Sequence, residues 1–175
     1  MRVQVRVGTK NAIYFIENET IRGLLIILSE LGLSLTKLFE YKVMITQDME
    51  FYLKWGKLQA VQLKLMINNR PMENGFGVWN FYVKYNAEGK GAVDFPVSKV
   101  VEEMRKNRHA FTSNLSYKIV LWLKHGALVI PHIASPTYAV CELPEDWSSG
   151  TSKESGPAYV GSYGFEALKV SIYRQ

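Results

Sequence analysis

The sequence predicts an α+β fold: a three-stranded antiparallel central sheet packed on about three helices. Three observations carry this reading. The stretches 58–67 and 78–85 both alternate apolar and polar residues at the period of a strand, and a turn-rich stretch, Asn68 to Gly75, separates them. Residues 115–124 alternate in the same way. Between Ile13 and Leu31 the apolar residues recur at helical spacing instead.

The elements follow in order. Val3, Val5 and Val7 alternate with Arg and Gln, which predicts a short strand with one wet face that ends at Gly8. Thr9 reads as a helix N-cap. Ile13, Ile16, Thr20, Leu24, Leu28 and Leu31 form a stripe that Ile21, Leu25 and Ile27 widen, so this helix packs centrally; Gly32 stops it. Ala12 to Ile16 also fits a strand, which leaves the helix start open. Leu33 to Met44 reads as a connection with a turn of helix. Thr46 caps a second, shorter helix through Asp48, Met49, Phe51, Tyr52 and Trp55, closed by Gly56.

Val61, Leu63, Leu65 and Ile67 face one way along the next strand, and Trp79, Phe81, Val83 and Tyr85 share a face of its hairpin partner. After a loop at 86–91, Asp94 and Pro96 open a helix at 96–108 whose stripe is Val97, Val100, Val101 and Met104. Tyr117, Ile119, Leu121 and Leu123 then line one face of the third strand. The expected order across the sheet is 76–85, 58–67, 115–124. That order leaves two long apolar edges, which invite pairing with further chain.

Residues 126–175 differ from this body. They hold four of the six prolines, five of the thirteen glycines and the single cysteine, Cys141. Lys and Arg outnumber Asp and Glu by 18 to 11 over residues 1–125, but the balance reverses to 3 against 5 in the tail. An acidic tail on a basic body is electrostatically favourable and salt-sensitive. The tail also carries Trp147, Tyr159, Tyr163, Phe165 and Tyr173, residue types that are rare in a segment that stays undocked.

At 175 residues the chain is expected to be one domain, large enough to need no disulfide or metal staple. One cysteine excludes an internal disulfide framework and fits a reducing, cytoplasmic setting. The first residues lack the features of a signal peptide. The longest pure apolar run, Leu24 to Leu28, is too short to span a bilayer, and no membrane partner is expected.

No residue set points to catalysis, so no enzyme activity, cofactor or metal is expected. His109, His125 and His132 form no metal-ligand spacing, although His125 and His132 could meet across a turn. Cys141 and His132 are the only conceivable nucleophile and base, and nothing near them resembles an activated cysteine. Gly75-Phe76-Gly77, Gly89-Lys90-Gly91 and Gly161-Ser162-Tyr163-Gly164 fall short of phosphate-loop patterns and read as turns. Glu102 and Glu103 are neighbours on an exposed helix side, and Glu17 and Glu19 flank a helix in the same way. Nucleic-acid binding is the alternative function: Arg105, Lys106 and Arg108 cluster, and Lys64, Lys84, Lys118 and Lys124 project from strands. Cations at a helix C-terminus and lysines on wet strands are also ordinary.

The order of elements resembles the HORMA domain family, and more closely the bacterial HORMA proteins of cyclic-nucleotide anti-phage (CBASS) operons. The stretches that carry the likeness are the helix Ile13 to Leu31 with Gly32-Leu33, Met49 to Gly56 leading into the strand from Leu58, Val78 to Val83, the helix near 96–108, and Ser116 to Leu121. Ser155-Gly156, Gly161, Gly164 and Tyr173-Arg174-Gln175 are similar too. The resemblance implies one domain, with a core at 1–125 and a mobile "safety belt" at 126–175 that changes its docking site and wraps a closure-motif peptide. It places that peptide, by β-augmentation, on the edge carrying Tyr117, Ile119, Leu121 and Leu123. It places the closed belt, with Trp147, Tyr159, Tyr163, Phe165 and Tyr173, on the edge carrying Val78, Trp79, Phe81 and Val83. It also implies two protein partners: a cGAS/DncV-like nucleotidyltransferase that the closed protein activates in antiviral defence, and an AAA+ remodelling ATPase that pulls on Met1 to Thr9. One stretch departs from the pattern: Ala127 to Cys141, with Pro131 and Pro136, is longer and more apolar.

Overall fold

The computed structural model describes residues 10–71, 77–89, 91–106, 115–130, 135–147 and 158–174. The expected strand at Val3–Val7 and the Thr9 cap lie outside them. Helix α1 spans Lys10–Glu30 and buries Ile13, Ile16, Leu24, Ile27 and Leu28. Gly32 ends it with φ +70°, and the Leu33 amide bonds back to the Leu28 carbonyl at 3.0 Å. Only a residue without a Cβ takes this cap cheaply.

Helix α2 spans Thr36–Lys54, so the connection expected at 33–44 is helical and Thr46 is no cap. The Thr46 hydroxyl instead donates to the Lys42 carbonyl at 2.8 Å, one turn back, an alternative open to Thr inside a helix. Gly56 (φ +65°) closes the helix as expected.

Strands β1 (Leu58–Ile67), β3 (Val78–Lys84) and β4 (Leu115–Leu123) form the expected centre, with β1 in the middle and both pairings antiparallel. A tight turn at Asn68 and Asn69, both at positive φ, leads into the two-residue strand β2 (Arg70–Pro71), which pairs with β1 alone. Helix α3 spans Val97–Lys106.

The sheet does not stop at three strands. The tail adds β5 (Tyr138–Glu142), β6 (Tyr159–Phe165) and β7 (Leu168–Arg174), so the described residues form seven strands: six in the order β5-β4-β1-β3-β7-β6, with β2 off this path beside β1. Neither β3 nor β4 is therefore an uncovered edge. The expected turn at Gly161–Gly164 is strand β6, because its glycines answer crowding rather than turning. A Cβ on Gly161 would lie 2.8 Å from the Pro96 ring, and one on Gly164 would lie 2.5 Å from the Leu168 carbonyl oxygen.

Among the described residues, all three helices lie on one face of the sheet, with α1 central. Ile16, Leu24, Leu63, Trp79, Phe81, Ile119 and Leu121 are buried together in that layer. The tail completes it: Tyr163 of β6 is 1% exposed and shares a 2.5 Å hydrogen bond with Thr20 of α1. Two acidic residues read as bland are part of this interior. Glu17 is 3% exposed, and Glu19 accepts the Phe95 amide at 2.6 Å.

Candidate peptide site: the two sheet edges and the tail

The tail runs around the sheet. From the end of β4, residues 124–130 and 135–137 travel along α2. The Tyr52 hydroxyl donates to the Leu128 carbonyl at 3.0 Å and accepts the Ile130 amide at 3.1 Å, and the Tyr41 hydroxyl accepts from Ser135 at 2.8 Å. This crossover lets β5 return parallel to β4, with Ile119 opposite Tyr138 and Leu123 opposite Glu142. The Ile119 amide bonds to the Thr137 carbonyl at 2.7 Å, and the Leu143 amide bonds to the Leu123 carbonyl at 2.8 Å.

Tyr138 anchors this strand. Its hydroxyl donates to Asp48 of α2 at 2.5 Å, and both residues are buried. Burial, then the hydrogen bond and negative charge of Asp48, push the phenol well above the usual tyrosine range, so it stays a donor at neutral pH. At the other end of β5, the Glu142 carboxylate accepts the Gly126 amide at 2.9 Å and lies 3.0 Å from His125 Nδ1.

The tail then passes to the sheet face opposite the helices. That face holds a polar ladder: Trp122 Nε1 donates to Gln62 Oε1 at 3.0 Å, and Gln62 Nε2 donates to Asn80 Oδ1 at 2.8 Å. An aromatic row adjoins it. Trp147 lies 6.1 Å from Tyr82, Tyr82 lies 5.6 Å from Tyr173, and Tyr173 lies 5.4 Å from Tyr159. Trp147 thus sets the end of the described segment 135–147 on this face, against Tyr82.

At that far edge β7 pairs antiparallel with β3, from Trp79 opposite Arg174 to Lys84 opposite Lys169. Strand β6 folds back on β7 as the outermost strand. Arg174 reaches α3, where Nη2 and Nε lie 2.6 and 2.8 Å from Glu103 Oε1. Glu103, expected on an exposed helix side, is therefore a partner of the tail. The loop before α3 grips the hairpin through two backbone bonds between Val93 and Gly164, at 2.8 and 3.0 Å.

Except for Val78, which alternation places with Asn80 and Tyr82 on the opposite face, the residues expected on the two central edges point into the helical layer. Ile119, Leu121 and Leu123 are fully buried; Trp79, Phe81 and Val83 are buried, and Val78 is half-buried. Tyr117 is buried and ties β4 to α2, accepting the Leu38 amide at 2.9 Å and donating to the Ser34 carbonyl at 3.2 Å. Burial pushes its hydroxyl above the ordinary tyrosine value. An added strand would therefore meet the backbone of these edges, not these side chains. Among the tail residues, Tyr163 and Tyr173 are buried while Trp147, Tyr159 and Phe165 are half-buried. Phe165 packs on Phe15 of α1 with ring centres 5.7 Å apart.

Sequence reasoning missed Asp48, Glu103 and Tyr41 as tail-holding residues. Each holds a partner distant in sequence, so only the fold reveals it. Among the described residues, no group of three His, Cys, Asp or Glu is placed to hold a metal ion. His109, Arg108 and His132 lie outside those residues. Cys141 is half-buried on β5 as a free thiol. Among the described residues, no helix is long and apolar enough to cross a membrane.

A chain in the crystal structure of a mitotic checkpoint complex superposes on this architecture with a TM-score of 0.53, covering 93% of this chain and 98% of that one. The fold is HORMA-like. At 11% identity the likeness carries the fold alone. No family model matches the sequence, and no curated protein matches it. Within this HORMA-like fold the tail holds both edges of the central three strands at once.

Proposed function

We propose that this HORMA-like chain is a non-enzymatic, peptide-binding adaptor. One observation carries the reading: the tail circles the sheet, with β5 on one edge of the central strands and the β6–β7 hairpin on the other. The two attachments differ in strength. The hairpin brings two strands, two buried tyrosines (Tyr163 and Tyr173) and a partly buried ion pair, against one strand with one buried tyrosine, Tyr138, for β5. Strand β5 is five residues long, and three of them are half-buried. A closure peptide would take the place of β5 against β4, using backbone hydrogen bonds for affinity. The hairpin would stay on β3 and keep the segment after β5 looped over the bound peptide.

The finer reading rests on the sequence resemblance to bacterial CBASS-type HORMA proteins. In it, the peptide-loaded form activates a cGAS/DncV-like nucleotidyltransferase in antiviral defence, and an AAA+ ATPase unloads it by engaging Met1 to Thr9, within the cytoplasm. Nucleic-acid binding is less favoured. Several cations are already paired, including Lys54 with Glu50 at 3.6 Å and Lys106 with Glu103 at 3.7 Å.

Selection of phage-displayed peptides on the full chain tests the adaptor reading. The expected outcome is an enriched extended motif whose synthetic peptide changes amide exchange in β4 and β5 and leaves β7 protected. Recovery of no enriched motif, or a bound peptide that leaves β4 and β5 exchange unchanged, would sink it.

A further inference from the structure

We propose that the outward face of α2 docks a second copy of this chain, the two helices packing antiparallel about a two-fold axis at Gln47. The buried positions of α2, among them Leu38, Ile45, Met49 and Leu53, face the interior. The side turned away from it carries Phe39, Val43, Gln47, Phe51 and, at the C-cap, Trp55, spaced one helical turn apart. Residues at that spacing are neighbours on a helix surface and form a ridge. The Phe51 and Trp55 ring centres lie 6.5 Å apart.

The ridge is open. Val43 and Trp55 are two-thirds exposed, Phe39 is just over half exposed, and Phe51 and the adjoining Met44 are near two-fifths exposed. Tryptophan is on average a highly buried residue. Large side chains cover about 150–250 Å² each, so these fractions leave roughly 600 Å² of apolar surface in one row. That is the upper end of the ~300–600 Å² patch found on a typical monomer. Gln47 and the flanking Glu40 and Lys54 bring the row close to the ~800 Å² that each partner contributes to a stable interface. Tryptophan, phenylalanine and methionine are the residue types enriched at the centres of such interfaces.

The order of residues selects the occupant. Phe39 and Trp55 are equally far from Gln47, and so are Val43 and Phe51. An antiparallel copy centred on Gln47 therefore sets Val43 against Phe51, and Phe39 against Trp55, on both sides of the axis. This is the self-complementarity that a two-fold contact requires. Ridges of this spacing pack into each other's grooves in the commonest class of helix contact. Charge follows the same symmetry: Glu40 and Lys54 are also equally far from Gln47, so each carboxylate meets the copy's ammonium at the rim. Within the chain Glu40 pairs with Lys37 at 3.5 Å and Lys54 with Glu50 at 3.6 Å, and both side chains remain more than half exposed. Neither has to leave its partner, because a carboxylate accepts from several donors and an ammonium has three protons to donate. The ridge shares no residue with β4 or β5, so this inference goes beyond peptide binding and does not depend on it.

Sedimentation of the full chain over a range of concentrations at physiological salt provides the test. The expected result is a reversible monomer–dimer equilibrium with no larger species. Val43→Glu places a charge at the centre of the contact and should weaken the dimer about tenfold or more, with the circular dichroism spectrum unchanged. Glu40→Lys and Lys54→Glu should each weaken self-association, because each sets like charges opposite one another twice. Mixing the two variants should restore the dimer, since every pair across the axis is then of opposite sign. A chain that stays monomeric at high micromolar concentration, a dimer untouched by Val43→Glu, or a mixture that restores nothing overturns the proposal. Co-sedimentation of a monomeric chain with phosphatidylserine vesicles would assign the ridge to a lipid surface and overturn it as well. A failed peptide selection would leave these results untouched, so the two readings fail separately.

Discussion

Arg174, near the end of β7, closes on Glu103 of α3 through two contacts of 2.6 and 2.8 Å to one carboxylate oxygen. Both side chains are less than one-fifth exposed, at 14% and 18%. The pair fastens the hairpin to a helix as well as to β3. Arg174→Ala leaves Glu103 partly buried with a weaker, exposed cation, Lys106, as its neighbour. A fully buried pair costs about 3–5 kcal/mol to break, and an exposed one about 0–1 kcal/mol. We expect a loss of about 2 kcal/mol by urea unfolding, with faster exchange of the β7 amides. A loss within the exposed range would mean that the contact is not a latch.

Tyr138→Phe removes a donor from the buried Asp48 carboxylate and leaves the ring in place. Hydrogen bonds to charged groups contribute about 1.5–3 kcal/mol, so a loss near 2 kcal/mol is expected. Exchange should rise in β5 before it rises in β7. If β5 competes with a peptide for β4, the same substitution should tighten peptide binding. Weaker binding would place Tyr138 in the peptide site itself.

Glu17 gives a pH signature. Burial first, then the negative charge of Glu50, raise its carboxyl from the ordinary 4.5 to about 7, against the opposing pull of Lys54. The folded form therefore holds this proton more tightly than the unfolded form. Its stabilising effect is complete below about pH 4.5 and is lost as pH rises to about 7. At 1.36 kcal/mol per unit, the change over that window is about 3 kcal/mol. Glu17→Gln should flatten this part of the stability profile and stabilise the protein at pH 8. A profile unchanged by the substitution would show that Glu17 ionises normally.

Gly23→Ala weighs two effects of known sign. Alanine in a helix interior gains about 1 kcal/mol over glycine. A Cβ here, however, would lie 2.3 Å from the ring of Phe95, which is itself 3% exposed. Overpacking of this kind costs about 1–3 kcal/mol. The expected net result is a lower Tm. A higher Tm would mean that the Phe95 ring moves aside freely.

The central hairpin and third strand were legible because one face of each is buried. Leu63, Trp79 and Ile119 therefore recur at period two. The closing glycines, Gly32 and Gly56, were legible because positive φ is a local demand. Helix α2 was only half read. Its buried positions start at Leu38 and skip to Ile45, too sparse a stripe to mark the first two turns, and Thr46 serves a cap and a helix interior equally well. The tail strands were obscured for a different reason. Gly161 and Gly164 look like turn residues, but the pressure on them comes from Pro96, remote in sequence, and from the Leu168 backbone on the facing strand of the hairpin. Glu17 and Glu103 looked exposed because the groups that cover or pair with them are remote in sequence. The site is a set of long-range pairings, and periodicity carries no information about those.

The hydrogen bond between Thr20 and Tyr163 joins residues 143 positions apart. Strand β3 likewise waits for β7, some ninety residues later in the chain. Such high contact order slows folding, because loop entropy is lost before contacts repay it. During synthesis the unpaired backbone edge of β3, a strand rich in apolar side chains, stands open until residues 168–174 have emerged. That interval is when the nascent protein is most exposed to edge-to-edge aggregation.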